Sequence, residues 1–296
     1  MRVRQWYKSA VLFIGPVFAG SMSDFSLYPA FIAGFFLISL ASSFNYIIND
    51  IIDIEADKIH PEKALRRPLA AGKISKTGGY LFLALVGAVT FVGAYLLNSM
   101  VLLMVIMIVA NGMFYNFVFK YHAFIDIISL SVIYIWRALT GCYLAKVYIS
   151  PWLIVAIFLL ALFLVICKRR ADLELLGREN AVNHKKIYDQ YSLKMLDNLH
   201  VMILTSLFVV YILYAILGPF NPNQPSIIAN YRTFLVISIP VALYLLMRYS
   251  FLMLTKPEIA RNTERVIFDK GMLIGSLILV AILLIAFYLP PDLFGS

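Results

Sequence analysis

Charge is what this sequence has least of. Asp, Glu, Lys and Arg make up 14% of its 296 residues, against roughly 25% in a soluble domain, and the mean hydropathy is +0.86. That shortage excludes an ordinary soluble globule. Cysteine is equally sparse: Cys142 and Cys167 fall in or beside apolar runs without metal-ligand spacing, which excludes a zinc cluster and a disulfide framework. His60, His122, His184 and His200 show no ligand spacing either. No ten-residue alternation of the barrel-strand kind occurs. No small-residue cleavage site follows the first apolar run, so "MRVRQWYKSAVLFIGPVFAG" reads as a membrane helix and not as a signal peptide.

What is present is a series of apolar runs close to the roughly 20 residues that cross a bilayer. The hydropathy predicts nine spans, at 6–21, 29–49, 79–97, 99–119, 123–145, 151–167, 197–217, 233–254 and 271–289. The expected fold class is therefore all-α integral membrane protein, a single domain over 1–296 with polar loops at about 50–78 and 168–196. Of the 25 Lys and Arg residues, 21 fall on the side of the N-terminus and of those two loops. Lys146 and Arg232 alone fall on the other, and Arg137 and Arg248 lie within spans. By the positive-inside bias the N-terminus and the polar loops face the cytoplasm of a cell membrane. The net charge of +9 thus reflects topology, with no nucleic acid as partner.

The second span ends in "NDIIDIEADK", one Asn and four acids in ten residues. On a helix turning about 100° per residue, with Asn49 at 0°, Asn45 falls near −40°, Asp53 near 40°, Asp57 near 80° and Asp50 near 100°; Glu55, near 240°, points away. Asn49 to Asp57 spans about 12 Å of rise. Carboxylates stacked on one face repel unless a cation sits among them, and an oxygen-only set without His or Cys suits Mg²⁺. Mg²⁺ commonly shares its shell with substrate phosphates. The block "KALRRPLAAGK" follows at once. Metal on one edge and Arg or Lys on the other is what a diphosphate ester needs.

"NDIIDIEAD" matches N-D-x-x-D-x-x-x-D, and in that motif the chain resembles the UbiA superfamily of intramembrane prenyltransferases. The resemblance implies nine helices around a central cavity and Mg²⁺-dependent activation of a diphosphate. Typical members carry a second acidic motif, D-x-x-x-D, after the sixth span. Here Asp172 is followed four residues on by Leu176, and Asp189 by Leu193. In place of the acids stand "CKRRADLE" and "YDQYSLK". In this departure the chain is similar to the decaprenyl-phosphate phosphoribosyltransferase branch. It shares with that branch the runs "RVRQWYKSAVLF", "DIEADKIHPEKALRRPLAAGKIS", "FIDIISLSVIYIWRALTGCYLA", "CKRRADLE" and "KPEIARNTERVIFDK". The resemblance implies transfer of 5-phosphoribose from phosphoribosyl diphosphate (PRPP) to a polyprenyl phosphate. Exchanging acids for Lys, Arg and Tyr accords with a donor that carries an additional phosphate.

The expected ligands of Mg²⁺ and diphosphate are Asn49, Asp50, Asp53 and Asp57, with Asn45 on the same arc. Arg66 and Arg67 are expected to hold phosphate oxygens, and Lys8, in "RQWYK", to reach substrate. Lys168, Arg169 and Arg170 open the second polar block. Tyr188, Tyr191 and Lys194 would lie near 0°, 300° and 240° on a helix, close to one face. Asp126 and Arg137 are intramembrane ionisable residues. They sit about 20° and 16 Å apart on one helix, too far to pair directly, so each is expected to meet another helix or the cavity. Two rival functions remain in view: prenyl transfer to an aromatic or glycerol-phosphate acceptor, and ion or phosphate transport.

Overall fold

The computed structural model of the chain describes residues 3–59, 64, 67–148, 150–217 and 228–288. Among the described residues every regular element is helical. Eight helices among those residues are long and apolar enough to cross a membrane: α1 (Tyr28–Ile52), α2 (Lys76–Leu97), α3 (Ser99–Phe117), α4 (Ile125–Ala145), α5 (Pro151–His184), α6 (Leu193–Leu217), α7 (Ile228–Thr255) and α8 (Lys270–Tyr288). The chain is an all-α integral membrane protein. It divides into two compact units, one of Met1–Pro16, Asp24–Lys120 and Trp136–Val147, the other of Val17–Ser23, Tyr121–Ile135 and Tyr148–Ser296.

The span expected first, 6–21, is not a regular α-helix among the described residues. Val3–Phe13 is a 3-10 helix, and only Ile14–Phe18 is α. Pro16 gives the reason. A proline has no N–H for the carbonyl four residues back, and its ring crowds that carbonyl. The carbonyl concerned belongs to Leu12, and it packs instead against Gly141 of α4, where a Cβ would collide with it. At about 2.0 Å per residue, eleven 3-10 residues still rise about 22 Å. Trp6 Nε1 donates to Ser43 Oγ at 3.1 Å, and Ser39 Oγ donates to Ser9 Oγ at 2.8 Å, so the segment is fastened along α1.

Elsewhere in the first unit, α1 and α2 approach closely because α2 turns small residues inward. Gly79, Val86, Gly87, Thr90 and Ala94 are its buried positions. A Cβ on Gly87 would come within 2.9 Å of the Phe44 ring, and one on Gly93 within 2.8 Å of Leu37. Small residues at such seams replace the hydrophobic drive that lipid removes. Asn98 both ends α2 and begins α3, its side chain accepting the Met100 N–H at 2.7 Å.

In the second unit α5 runs to 34 residues, well past the 151–167 expected from hydropathy. At about 1.5 Å per residue it measures about 51 Å, against roughly 30 Å of hydrocarbon. The polar run from Lys168 onward is thus helix and not loop. Gly177 interrupts it with φ 69°, a left-handed value that glycine adopts without strain. Phe163, Ile166, Leu196 and Leu207 lie in the core between α5 and α6. A polar seam crosses that core: Cys167 Sγ lies 3.4 Å from His200 Nδ1, and His200 Nε2 lies 3.1 Å from Ser250 Oγ, linking α5, α6 and α7.

The start of α8 is fixed by Asp269. Its Oδ1 accepts the Met272 N–H at 3.0 Å, and Arg248 of α7 grips the carboxylate through Nε at 3.0 Å and Nη2 at 2.7 Å. The Arg248 hydrogen bonds hold the Asp269 carboxyl down at about 2, from an ordinary 3.8. A depressed carboxyl contributes stability above its unfolded value and loses it as pH falls through the folded one. Asp269→Asn is expected to lower the unfolding midpoint at pH 7. The gap to the wild type should hold to about pH 5 and close toward pH 2. A gap of constant size across that range would contradict this account.

Candidate active site

The acidic motif keeps its expected arc although α1 does not run straight through it. Asp53 is the C-cap of α1, at φ −91° and ψ 11°, and a six-residue helix, Ile54–Ile59, follows. The Asp53 N–H still reaches the Asn49 carbonyl at 3.0 Å, and the Asp57 N–H reaches the Asp53 carbonyl at 2.8 Å. The helical register therefore survives the bend. Glu55 points away as expected, 84% exposed and paired with Lys58 at 2.9 Å.

The three inner carboxylates are neutralised from two directions. Arg67 bridges Asp50, at 3.2 Å, and Asp57, which is 2% exposed. Lys120 Nζ lies 3.3 Å from Asp53 Oδ1, and Asn49 Nδ2 donates to Asp53 Oδ2 at 2.9 Å.

A ladder of amides continues below. Asn49 Nδ2 and Asn116 Oδ1 are 3.4 Å apart, and Asn116 Nδ2 lies 3.4 Å from the Asn45 carbonyl. Asn45 Nδ2 donates to the Ile108 carbonyl at 3.0 Å, while its buried Oδ1 has no hydrogen-bond partner among the described residues. Gly112 makes this possible, since a Cβ there would collide with the Asn45 amide. Further along the same face, at about 20° on the arc, Ser42 Oγ accepts from Arg137 Nη2 at 2.9 Å. Arg137 thus meets another helix, as its position required. Ser42, Asn45, Asn49, Asp53 and Asp57 thus follow one face along α1 and into the short helix after it.

Asn116 and Lys120 did not figure among the expected site residues. They stand four apart in "NFVFK", the one-face spacing that singles out Asn49, Asp53 and Asp57. Lys8 is half-buried on the N-terminal 3-10 helix, with Nζ 6.0 Å from the Tyr7 ring centroid. Arg66 lies outside the described residues.

The second polar block forms a separate network inside the second unit. Arg169 Nη2 donates to Asp126 Oδ2 at 2.7 Å, and its Nη1 donates to Tyr188 Oη at 3.3 Å. Tyr188 donates to Asp172 at 2.7 Å, which also takes Arg261 Nε at 3.0 Å. Tyr191 donates to Asp126 Oδ1 at 2.6 Å. Burial pushes both tyrosine hydroxyls upward, so they remain donors. Arg170 stands apart, with Asp197 at 2.6 Å and Glu174 as partners. Lys168 and Lys194 are exposed. The expected common face of Tyr188, Tyr191 and Lys194 is not formed. Lys186–Gln190 is a 3-10 helix, Tyr191 is extended, and Lys194 belongs to α6. A 3-10 turn brings positions three apart into line, which sends both tyrosines inward without Lys194. In this network Asp126 is paired with Arg169 and Asp172 with Arg261.

A profile described as the UbiA prenyltransferase family matches residues 10–266. A curated relative, "Decaprenyl-phosphate phosphoribosyltransferase" of Mycobacterium tuberculosis, is 30% identical over 219 residues, covering 73% of this chain and 72% of its own. A UbiA homolog from Archaeoglobus fulgidus, solved bound to GPP and Mg²⁺, superimposes with a TM-score of 0.65 at 15% identity, covering 97% of this chain and 99% of its own. A digeranylgeranylglyceryl phosphate synthase structure gives 0.60 at 20% identity, covering 96% and 93%. At these identities the two structures show the fold.

The bridging role of Arg67 yields a test independent of substrate. Arg67→Gln leaves Asp50 and Asp57 without their shared cation. With EDTA present it should cost about 1–3 kcal/mol of unfolding free energy. Asp57→Asn in that background should recover part of the loss. No recovery in the double variant would mean that Arg67 does not act by neutralising Asp57.

Proposed function

The chain belongs to the UbiA prenyltransferase family and is a membrane transferase, and we propose that it moves 5-phosphoribose from PRPP to a polyprenyl phosphate, releasing diphosphate with Mg²⁺ as cofactor. The observation that carries this reading is the pair of unlike polar clusters. One is an acidic stripe of Asp50, Asp53 and Asp57 with Asn49. The other stands where the family resemblance puts a second acidic motif, yet it is a network of Arg169, Tyr188 and Tyr191 with Asp126 and Asp172. The relative named as a phosphoribosyltransferase supports the same reading.

The donor set fits Mg²⁺. Asp50, Asp53, Asp57 and Asn49 offer oxygen alone. Among the described residues no three acids converge on one metal position, and Mg²⁺ ordinarily takes one or two carboxylates and completes its shell with phosphate oxygens and water. When bound, Mg²⁺ would neutralise charge on the departing diphosphate. Asp53 and Asp57 would orient that complex from the helix side. Arg67 and Lys120, which hold carboxylates in this structure, would turn hydrogen bonds toward diphosphate oxygens as the donor enters. An oxygen of the lipid phosphate then bonds to C1 of the ribose as the C1–O bond to diphosphate breaks, with inversion at C1. The acceptor is already an anion, so no strong general base is needed. Lys8, Arg137, Lys168 and Lys194 are proposed as further phosphate contacts. Arg169, Arg170, Tyr188 and Tyr191 can serve in that way only by exchanging the partners described above.

Ligand stabilisation tests the donor. In Mg²⁺, PRPP at 100 times its dissociation constant should stabilise the solubilised protein by about 2.7 kcal/mol. Geranylgeranyl diphosphate should do so less. Asp53→Ala and Asp57→Ala should remain folded and lose the PRPP effect together with at least about 99% of turnover. Stabilisation by geranylgeranyl diphosphate and not by PRPP would favour prenyl transfer instead.

A further inference from the structure

The acidic motif has a reverse side. With Asn49 at 0°, the stripe runs from about −40° to 100°, whereas Ile51, Ile52, Ile54, Glu55 and Lys58 fall between about 140° and 300°. That reverse side does not pack flat against its neighbour. It forms one wall of a cleft of about 290 Å³, closed on the other side by Leu69, Gly72 and Lys76. All of these residues belong to the first unit.

The cleft is built by the turn that leads into α2. The Lys73 and Ile74 N–H groups both reach the Pro68 carbonyl, at 2.9 and 3.3 Å. Gly72 takes φ 70° to allow it, with open space where a Cβ would stand. The turn tucks Leu69 against Gly79 of α2 and joins it to Ile47, Ile51 and Val86, which gives the cleft an apolar floor. The rim is cationic. Lys58 stands on one side, and Lys76, the first residue of α2, on the other. The first turn of α2 carries no acid, and a helix N-terminus is itself a partial positive charge that favours an anion. Lys76 at that position adds to the unbalanced charge. Glu55 alone opposes it among the described lining residues, and it is 84% exposed and already paired with Lys58.

The place of the cleft selects among anions. The span of α1 ends at Ile52 and that of α2 begins at Lys76, so the cleft lies where both helices leave the hydrocarbon. Ile52 is 43% exposed there, and Tyr80, one turn on from Lys76, is exposed at the same end of α2, where a tyrosine suits the headgroup level. A free anion would gain nothing from the isoleucines. A lipid with a charged head and an apolar tail meets both parts of the wall. We propose that the cleft holds the headgroup phosphate of an anionic phospholipid of the surrounding bilayer, with Lys58, Lys76 and the start of α2 around the phosphate and Ile52 against its first acyl carbons. The short helix Ile54–Ile59 carries Asp57 on its other face, so such a lipid braces the acidic motif from behind. The inference stands apart from the proposed transfer reaction and holds for any substrate.

The test uses the full chain, purified in detergent and stripped of lipid. Its unfolding midpoint would be followed as phosphatidylglycerol, phosphatidylcholine of the same acyl chains, or inorganic phosphate is added, and apparent affinities taken from the shifts. The wild type should prefer phosphatidylglycerol to phosphatidylcholine at least about fivefold, the value of one lysine near an anionic surface. Lys76→Gln should reduce that preference about fivefold, and Lys58→Gln/Lys76→Gln should reduce it further. Glu55→Gln should act in the opposite direction and raise it about twofold or more. Lys73→Gln, in the same turn but not lining the cleft, should change it less than about twofold. Inorganic phosphate should give no shift at the lipid's concentration. No preference in the wild type, an equal loss in Lys73→Gln, or a weaker preference in Glu55→Gln would each overturn the site. A shift with inorganic phosphate as large as that with phosphatidylglycerol would assign the cleft to a free anion and overturn the lipid.

Discussion

Three carboxylates on one face at the end of a membrane helix cannot stand together unaided. Two unit charges 4 Å apart interact by about 4 kcal/mol even at an effective dielectric of 20. Arg67 between Asp50 and Asp57, Lys120 on Asp53 and the amide of Asn49 all answer that repulsion. So does the packing beneath, where Gly112 leaves room for Asn45 to fasten α1 to α3.

The second network pairs its acids one by one. Asp126 and Asp172 each have an arginine and a tyrosine hydroxyl. Buried ion pairs of this kind contribute little net stability, because desolvation offsets attraction; removing one partner is what costs. Their effect is on geometry. They fix the 3-10 turn before α6, and through Gln190 and Tyr191 they fix Phe124, a left-handed residue ahead of α4.

Much of this was legible in the sequence because it follows from helical periodicity. The arc of Asn49, Asp53 and Asp57, and the outward turn of Glu55, need only 100° per residue and survive the bend at Asp53. Eight of the nine apolar runs are the cores of eight helices. The remaining run is 3-10 over Val3–Phe13 and α only over Ile14–Phe18, and Pro16, four residues after Leu12, withdraws one donor from an α-helical ladder there. The end of α5 was misplaced because hydropathy reports contact with lipid, and the helix continues in polar residues. The partner of Asp126 lies 43 residues away on another helix, and no single-sequence spacing encodes that distance. Asn116 and Lys120 could have been found, since their spacing of four is the one that marks the acids.

The central claim is that the acidic stripe activates a phosphoribosyl diphosphate for a lipid phosphate. It is tested most directly by the mass of the lipid product. Purified protein would be incubated with PRPP, Mg²⁺ and a polyprenyl phosphate, and in parallel with geranylgeranyl diphosphate and the same acceptor. The account predicts a polyprenyl phosphate enlarged by one phosphoribosyl group, formed only with PRPP and abolished by EDTA. A lipid enlarged by a prenyl group, with none carrying phosphoribose, would contradict it.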